Sequence, residues 1–369
     1  MKLRPYALLC VSALALCSCG SQTRTIGQST IEFVRSILGD SESAEYKILK
    51  SYDPEECDAA IYVVGDVLSS SESASELLSC DDRDNIDGFE GSDGLPDFAG
   101  ERVAVVTDVS SGLYDSLVLA GKGTQLRELA VRNVLQAVDT LCFKSPFDME
   151  GMGRKSRSKL IVLASPAMAA YGMFDVDSLL AASSCSLPVV SPVRIMAEEL
   201  VSEGCHTVGV ITSELRTEAG IFDKVFEDAA ATAGVSVNCV SASVADPRRA
   251  LTEFLDSYIE SGHLDPVEVI VMDNPDCDAT VMSRELVRIQ SVMNEEYLKY
   301  AEYLAPDVRF VKADTILRSE CYRILRERNI FTHNVSYPSR EDYLVISRNP
   351  EEGMQSNILI EYNERYLPQ

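Results

Sequence analysis

Short apolar runs alternate with amphipathic stretches along most of the chain from residue 101 onward. Continuous runs such as Val269–Met272 are typical of strands buried on both faces, whereas apolar residues at helical spacing indicate covering helices. The predicted strands are Arg102–Thr107, Lys159–Ala164, Pro188–Val190, Thr207–Thr212, Val235–Val240, Glu268–Met272 and Val308–Val311. The predicted helices are Thr124–Leu141, Ile195–Glu203, Glu218–Ala233, Pro247–Gly262, Ala279–Leu304 and Thr315–Arg328. This alternation predicts an α/β fold of two Rossmann-like lobes, each with a parallel sheet covered by helices.

The first 100 residues follow a different pattern. We expect a helix near Gln28–Leu38 and strands at Tyr46–Lys50 and Ala59–Val64. Val67–Gly100 is rich first in serine and then in acidic residues and glycine, which predicts a long exposed loop. Calcium binding is the alternative for this loop, although its acidic residues do not follow the EF-hand spacing.

These patterns divide the chain into six segments. We expect a signal peptide at 1–18, a tether at 19–27, an N-terminal extension with the acidic Ser-rich loop at 28–100, lobe 1 at 101–192, lobe 2 at 193–328, and a C-terminal segment at 329–369. The C-terminal segment contains two further strand candidates, Tyr343–Ser347 and Asn357–Tyr362, and is expected to return to lobe 1. The basic connection Phe143–Ser158 is expected to be a surface loop.

Composition narrows the classes of function. The chain has 369 residues, of which 46% are hydrophobic and 25% charged, as in ordinary globular proteins. Its formal net charge of −25 argues against a nucleic-acid partner, because binding to phosphates needs a basic surface. The only histidines are His206, His263 and His333, so histidine-based metal sites and catalytic triads are mostly excluded. We therefore expect neither a metal nor a cofactor.

The first twenty residues have the features of an export signal. Lys2 and Arg4 precede the apolar run Tyr6–Leu16, which is too short to cross a bilayer. The sequence Leu16-Cys17-Ser18-Cys19 then resembles the lipobox of bacterial lipoproteins. That resemblance implies that Cys19 is the lipidated mature N-terminus, which would anchor the acidic body to a membrane. A plain cleaved signal peptide is the alternative. No acidic cluster follows Cys19, which favours the outer membrane with the protein facing the periplasm.

Cysteine spacing leaves the redox state open. Three of the 11 cysteines lie in the first twenty residues, and the other eight have neither CxxC nor zinc-site spacing. An even number in an exported protein permits disulfides, but buried free thiols fit the pattern equally well.

Candidate ligand-binding residues follow the predicted strands. Ligands of open parallel sheets bind outside the carboxyl ends of the strands, where loops and helix N-termini meet. The residues at these exits are Thr107, Asp108, Ser110, Ser111, Ser165, Thr212, Ser213, Arg216, Thr217, Asp273, Asn274, Asp314 and Thr315. Helix capping is the alternative role for each of them. Arg216 could clamp a carboxylate, and Asp108 and Asp273 suit an amine, so a small, amino-acid-like zwitterion is the expected ligand.

Two resemblances bear on this site. "KLIVLASPAMAAYG", "LPVVSP" and "VRFVKADTILRSECYRIL" resemble elements of the aspartate/glutamate racemase superfamily across about Arg102–Arg328. The resemblance implies two catalytic cysteines at two strand exits, one as acid and one as base. This chain has Ala164 and Asp273 at those positions, and Cys277 lies four residues too late, so racemase activity is not expected.

The second resemblance is to type I periplasmic binding proteins, in which two lobes close on a small polar ligand. It is carried by "VAVVTDVSSGLYDSLVLAGKG", "SCSLPVVSP" and "LVSEGCHTVGVITSE". Lobe 1 lacks one strand–helix unit between Leu141 and Lys159, which Tyr46–Val64 could replace.

Three functions follow from these observations. The favoured one is non-enzymatic: a solute-binding or sensing lipoprotein, with an unidentified transporter or sensor partner. The alternatives are a racemase-like enzyme with altered catalytic residues, using Asp273 and Cys277, and a structural lipoprotein with a vestigial cleft. Convergent polar groups favour binding, a titratable pair facing one point favours an enzyme, and an apolar cleft favours a structural role.

The anchor prediction can be tested directly. We expect Cys19→Ser to abolish incorporation of labelled fatty acid and to move the protein from the membrane to the soluble fraction, since no other lipid attachment is predicted. A variant that still partitions with membranes, together with an unlabelled wild type, would contradict lipidation at Cys19.

Overall fold

The structure is a computed structural model that describes residues 26–144, 152–291, 297–334, 338–348 and 358–361. The predicted signal peptide and Cys19 lie outside the described residues. The strands are β1 Ala60–Gly65, β2 Arg102–Asp108, β3 Leu141–Phe143, β4 Met152–Arg154, β5 Ser158–Leu163, β6 Val189–Val190, β7 Thr207–Thr212, β8 Asn238–Ser243, β9 Val267–Met272, β10 Leu304–Val311, β11 Arg340–Ser347 and β12 Ile358–Glu361.

Helices follow most of these strands. They are α1 Glu32–Gly39, α2 Ala44–Lys50, α3 Ser69–Ser79, α4 Tyr114–Leu119, α5 Gly123–Val138, α6 Pro166–Ser183, α7 Pro192–Ser202, α8 Glu214–Glu218, α9 Ile221–Ala233, α10 Ala250–Glu260, α11 Ala279–Ile289, α12 Leu298–Ala301 and α13 Ala313–Glu327. Within the described residues, no helix combines the length and the apolar character that crossing a bilayer requires.

The strands form two sheets, which confirms the predicted α/β class with two Rossmann-like lobes. The first sheet has the order β4-β3-β12-β11-β2-β1-β5-β6, and the second has the order β10-β9-β7-β8. All neighbours in the second sheet are parallel, as are the central strands β11, β2, β1, β5 and β6 of the first. β1 lies between β2 and β5, so the N-terminal segment supplies the strand that the sequence pattern lacked. β11 pairs with β2 in parallel, and β12 pairs with β11 in the antiparallel sense.

Hydrophobic packing joins the two sheets. One core runs from Val64 and Val106 of the first sheet, through helices α5, α6, α7 and α9, to Val208 and Val271 of the second. A second core lies on the other face of the first sheet, where α3 and α13 cover β1, β2 and β5. A third lies between the second sheet and α10 and α11.

Two predictions in the N-terminal part are wrong. Tyr46–Lys50 forms helix α2 rather than a strand, because Ser43 caps the backbone N–H of Tyr46 and Leu49 packs into the core. Val67–Gly100 is not wholly an exposed loop, because α3 buries Ala74 and Leu77 at helical spacing. The sequence analysis missed this short apolar face because the segment is rich in serine.

Three boundaries in the later part also differ. β8 begins at Asn238, three residues after the predicted start, since Gly234 ends α9 with a positive φ of 72° and Asn238 pairs with Thr207. The predicted helix Ala279–Leu304 ends at Ile289, and Leu304 already pairs with Val267 at the start of β10. The expected loop Phe143–Ser158 contains β4, which pairs with β3.

A buried ion pair fixes the end of the first sheet opposite to the candidate site. Lys159 Nζ of β5 lies 2.6 Å from Glu101 Oε2, and both side chains are at most 1% exposed. Lys159 also donates to the backbone oxygens of Cys57 and Ile330, while Glu101 accepts from the backbone N–H of Thr332. One lysine thereby holds the segment before β1 and the segment after α13 against the sheet.

Removal of this lysine should be strongly destabilising. We expect Lys159→Met to lower the free energy of unfolding by about 3–5 kcal/mol, because Glu101 would stay buried without a partner. Urea denaturation measures the loss. The control is Lys47→Met, which breaks an ion pair with Glu42 that is mostly exposed and should cost at most about 1 kcal/mol. Equal losses in the two variants would show that the buried pair does not hold these segments.

Candidate functional site

The carboxyl ends of the two sheets face each other, and an arginine from one contacts a carboxylate from the other. Arg216, on α8 after β7, places its Nε 3.2 Å from Asp115 Oδ2, on α4 after β2. Its Nη1 lies 2.6 Å from Oδ2 of Asp273, the residue that directly follows β9. Thr212 donates its hydroxyl proton to the same oxygen of Asp273. The exits of β2, β7 and β9 therefore meet at one point.

Helix α3 brings a further side of the site into place. Asp66, directly after β1, accepts hydrogen bonds from the backbone N–H groups of Leu68 and Ser69, which starts the helix at the strand exit. Ser70 then shares a hydrogen bond of 3.0 Å with Thr107 at the exit of β2. One turn further along α3, Ser73 Oγ donates a hydrogen bond of 3.1 Å to Oδ1 of Asp314. Asp314 lies in the first turn of α13, which follows β10. α3 thus connects two exits of the first sheet to one exit of the second.

Asp108 has a mainly structural environment. It is fully buried and accepts hydrogen bonds from the backbone and the hydroxyl of Ser110 and from the phenol of Tyr114. Asn133 donates to the same phenol oxygen. Burial, with Asp108 beside it, raises the pKa of Tyr114 well above its ordinary value. Ser111 lies beside Ser110, 3.1 Å between the two hydroxyl oxygens, so these residues build the turn after β2.

The remaining predicted residues have other positions. Ser213 caps α8 by accepting from the backbone N–H of Arg216, and Thr217 donates to the backbone oxygen of Ser213. Asn274 accepts from the backbone N–H of Asp276 and forms a turn. Ser213 thus has the capping role that was the alternative for each exit residue, and Thr217 and Asn274 form other local hydrogen bonds. Thr315 is exposed on α13 and lines a groove of about 560 Å³ between α7, α13 and the acidic loop, next to Ile195 and Tyr322.

Three buried polar atoms at the exits of the first sheet make no hydrogen bond with the described residues. One is Asp115 Oδ1, and the other two are the hydroxyls of Ser165, which follows β5, and Ser191, which follows β6; both serines are 1% exposed. Ser165 precedes Pro166, the first residue of α6, and its side chain does not cap the helix. The described residues therefore leave the hydrogen-bonding capacity of these groups unused.

The site has an excess of negative charge. Five carboxylates interact electrostatically with Arg216 or with each other: Asp66, Glu72, Asp115, Asp273 and Asp314. Burial raises the pKa of Glu72, Asp115 and Asp314, and the neighbouring carboxylates raise it further, whereas Arg216 lowers that of Glu72 and Asp115. The two carboxylates in contact with Arg216 raise its own pKa against the opposing effect of burial.

The sequence did not identify Asp66, Glu72, Ser73 or Asp115 as site residues. Asp66 directly follows the apolar run of β1, as the predicted site residues follow their strands. It was not selected because the stretch after it was interpreted as a loop. Asp115 lies seven residues after the end of β2, and its role depends on Arg216, 101 positions away.

The positions expected for catalytic thiols contain no proton-transfer pair. Ala164 at the end of β5 has no titratable group. Asp273 is bonded to Arg216 and Thr212. Cys277 is 2% exposed and packs in the core between the second sheet and α10 and α11. Burial raises the pKa of its thiol, and the neighbouring Asp276 raises it further, so this cysteine is a poor base.

Metal and disulfide chemistry were also open questions. Within the described residues, no group of three or more His, Cys, Asp or Glu side chains could hold a metal ion, and this includes the described acidic loop. The eight cysteines after the first twenty residues are all described and are free thiols.

Comparison with known proteins gives distant likenesses alone. No family model matches the sequence, and no curated protein matches it. Glutamate racemase isoform RacE1 from Bacillus anthracis has a TM-score of 0.44 and 13% identity, covering 79% of this chain and 89% of that one. Glutamate racemase from Francisella tularensis, in complex with D-glutamate, has a TM-score of 0.43 and 12% identity, with coverages of 79% and 89%. The transcriptional repressor ascG of Escherichia coli has a TM-score of 0.23 and 12% identity, with coverages of 70% and 97%.

The absence of a thiol pair at these exits leads to a prediction about chemistry. We expect no exchange of the α-proton of aspartate or glutamate, because Ala164 cannot transfer a proton and the thiol of Cys277 is buried in the core. Deuterium incorporation in heavy water, followed by mass spectrometry, measures the exchange. Protein-dependent incorporation that disappears in Cys277→Ala but not in Cys239→Ala would contradict this expectation.

Proposed function

We propose that this protein is a lipid-anchored binding or sensing protein that faces the periplasm and holds a small polar ligand between its two lobes. The observation that carries the proposal is the contact of Arg216 with Asp115 and Asp273, because it joins strand exits of both sheets at one polar point. Ligands of parallel α/β sheets bind at such exits.

Unsatisfied polar atoms at this point support binding over a purely structural role. A buried carboxylate oxygen without a hydrogen bond, as at Asp115 Oδ1, costs free energy that a ligand donor can recover. The Ser165 hydroxyl offers a second hydrogen-bonding group at the neighbouring exits of the first sheet. A cleft without a ligand would more readily have apolar or fully paired side chains there.

The proposed anchor fits the charge of the body. A chain with a formal net charge of −25 is repelled by anionic headgroups, so attachment to a membrane needs lipid chains such as those proposed at Cys19. The transporter or sensor that would receive the bound solute stays unidentified.

A ligand screen tests the proposal. Thermal unfolding of the protein should be followed with a panel of amino acids, amines, dicarboxylates, sugars and nucleosides. We expect at least one compound to raise the melting temperature, since a ligand at 100 times its Kd stabilises the folded state by about 2.7 kcal/mol.

Matched variants locate the binding site. Asp115→Asn should abolish the ligand-dependent shift. Asp177→Asn should retain it, because Asp177 forms a comparable ion pair with Arg194 but lies about three turns along α6 from the strand exit. A wild type that no compound stabilises, or equal shifts in both variants, would refute binding between the lobes.

A further inference from the structure

The hydrogen bonds of Arg216 determine what kind of ligand the site can accept. Its Nε faces Asp115 and its Nη1 faces Asp273, and the side chain is only 12% exposed. A ligand carboxylate at the remaining N–H groups would add another negative charge to a group that already contains five carboxylates. Arg216 therefore serves the protein's own carboxylates rather than an anionic ligand.

Carboxylate oxygens are among the groups at the site that accept no hydrogen bond from the described residues. Asp115 is 5% exposed, and its Oδ1 accepts no hydrogen bond from the described residues, although its Oδ2 is bonded to Arg216. Glu72 is an exposed member of the same group, one turn before Glu76 on α3, and has no hydrogen-bond partner among the described contacts of the site. Lys312 interacts with Asp314 from the edge of the group and gives it a further basic neighbour. A donor that carries positive charge suits these acceptors.

The positions of the carboxylates in the fold distinguish a metal ion from an organic cation as the ligand. A metal ion requires several ligands at about 2.0–2.6 Å from one point, but no such group exists among the described residues. The carboxylates instead come from separate elements: Asp66 and Glu72 from the exit of β1, Asp115 from α4, and Asp273 and Asp314 from the second sheet. Negative groups distributed over both lobes fit an extended organic molecule with more than one positive centre.

We propose that the ligand is a small organic dication, with two separated ammonium or guanidinium groups, bound by Asp115, Glu72 and the carboxylates at the exits of the second sheet. This inference rests on the proposed binding function and names the chemical class of its ligand. The formal net charge of −25 supports it, because an acidic protein attracts cations over long range and repels anions.

Calorimetric titration of the full chain tests the charge of the ligand. The probes are 1,5-diaminopentane, pentylamine with one charge, and glutarate, which has the same carbon number and two negative charges. We expect 1,5-diaminopentane to bind, pentylamine to bind at least about tenfold more weakly, and glutarate not to bind.

Substitution of an exposed carboxylate changes the affinity in a direction that depends on the charge of the ligand. Glu72→Gln should fold normally and should weaken 1,5-diaminopentane about threefold or more, since it removes one negative charge from the site. Glu260→Gln, which removes an exposed charge at the end of α10, is the control and should leave the affinity unchanged.

The outcomes separate this inference from the function on which it rests. Binding of glutarate, with an affinity that rises in Glu72→Gln, would overturn the dication and leave the binding function intact. The dication would also be overturned if 1,5-diaminopentane did not bind, or bound with equal affinity to Glu72→Gln. In either case the binding function stays intact if another compound of the wider panel stabilises the protein and Asp115→Asn abolishes that effect. If no compound of either panel binds, both the inference and the proposed function are refuted.

Discussion

The position of every site residue depends on the hydrophobic core that the two sheets share. Helix α6, which follows β5 of the first sheet, packs against α9, which follows β7 of the second. The close approach of α6 to α5 requires Gly172, since a Cβ there would lie 2.2 Å from the Cβ of Ala130. Packed interiors have discrete arrangements and do not deform continuously. The shared core therefore fixes the two carboxyl edges opposite each other in the folded chain.

Electrostatics at these edges follows from that arrangement. Each edge exposes acidic residues because Asp commonly starts the turn or the helix after a strand, as Asp66 and Asp278 do here. When packing brings two such edges together, carboxylates from different edges become neighbours and repel each other electrostatically. Arg216 lowers this repulsion by bonding to Asp115 from one edge and Asp273 from the other. Its short helix α8 buries none of its residues, so the guanidinium is held mainly by these two ion pairs.

The sequence predicted the sheets well because parallel strands buried on both faces leave continuous apolar runs, as in Val269–Met272. The same rule selected Thr212, Arg216 and Asp273, which form hydrogen bonds with one another in the structure. Prediction failed where that signal is absent. α6 is apolar on nearly all sides because other helices and the sheet surround it, so it has no amphipathic period. α3 buries Ser69, Ser70 and Ser73 as well as its apolar residues, and a serine-rich stretch does not indicate burial. The role of Asp115 arises from a contact between elements distant in sequence, which no local pattern encodes.

The chemistry of the site depends on the residues at its strand exits. Proton transfer on both faces of a carbon atom needs two titratable groups that face a common point. Here one strand exit ends in Ala164, and the carboxylate of Asp273 is bonded to Arg216 and Thr212. Protonation of Asp273 would remove the negative charge that faces Nη1 of Arg216 and would leave Asp115 as the remaining ion-pair partner of this arginine among the described residues. The residues at the strand exits, and not the architecture that presents them, therefore decide the chemistry of the site.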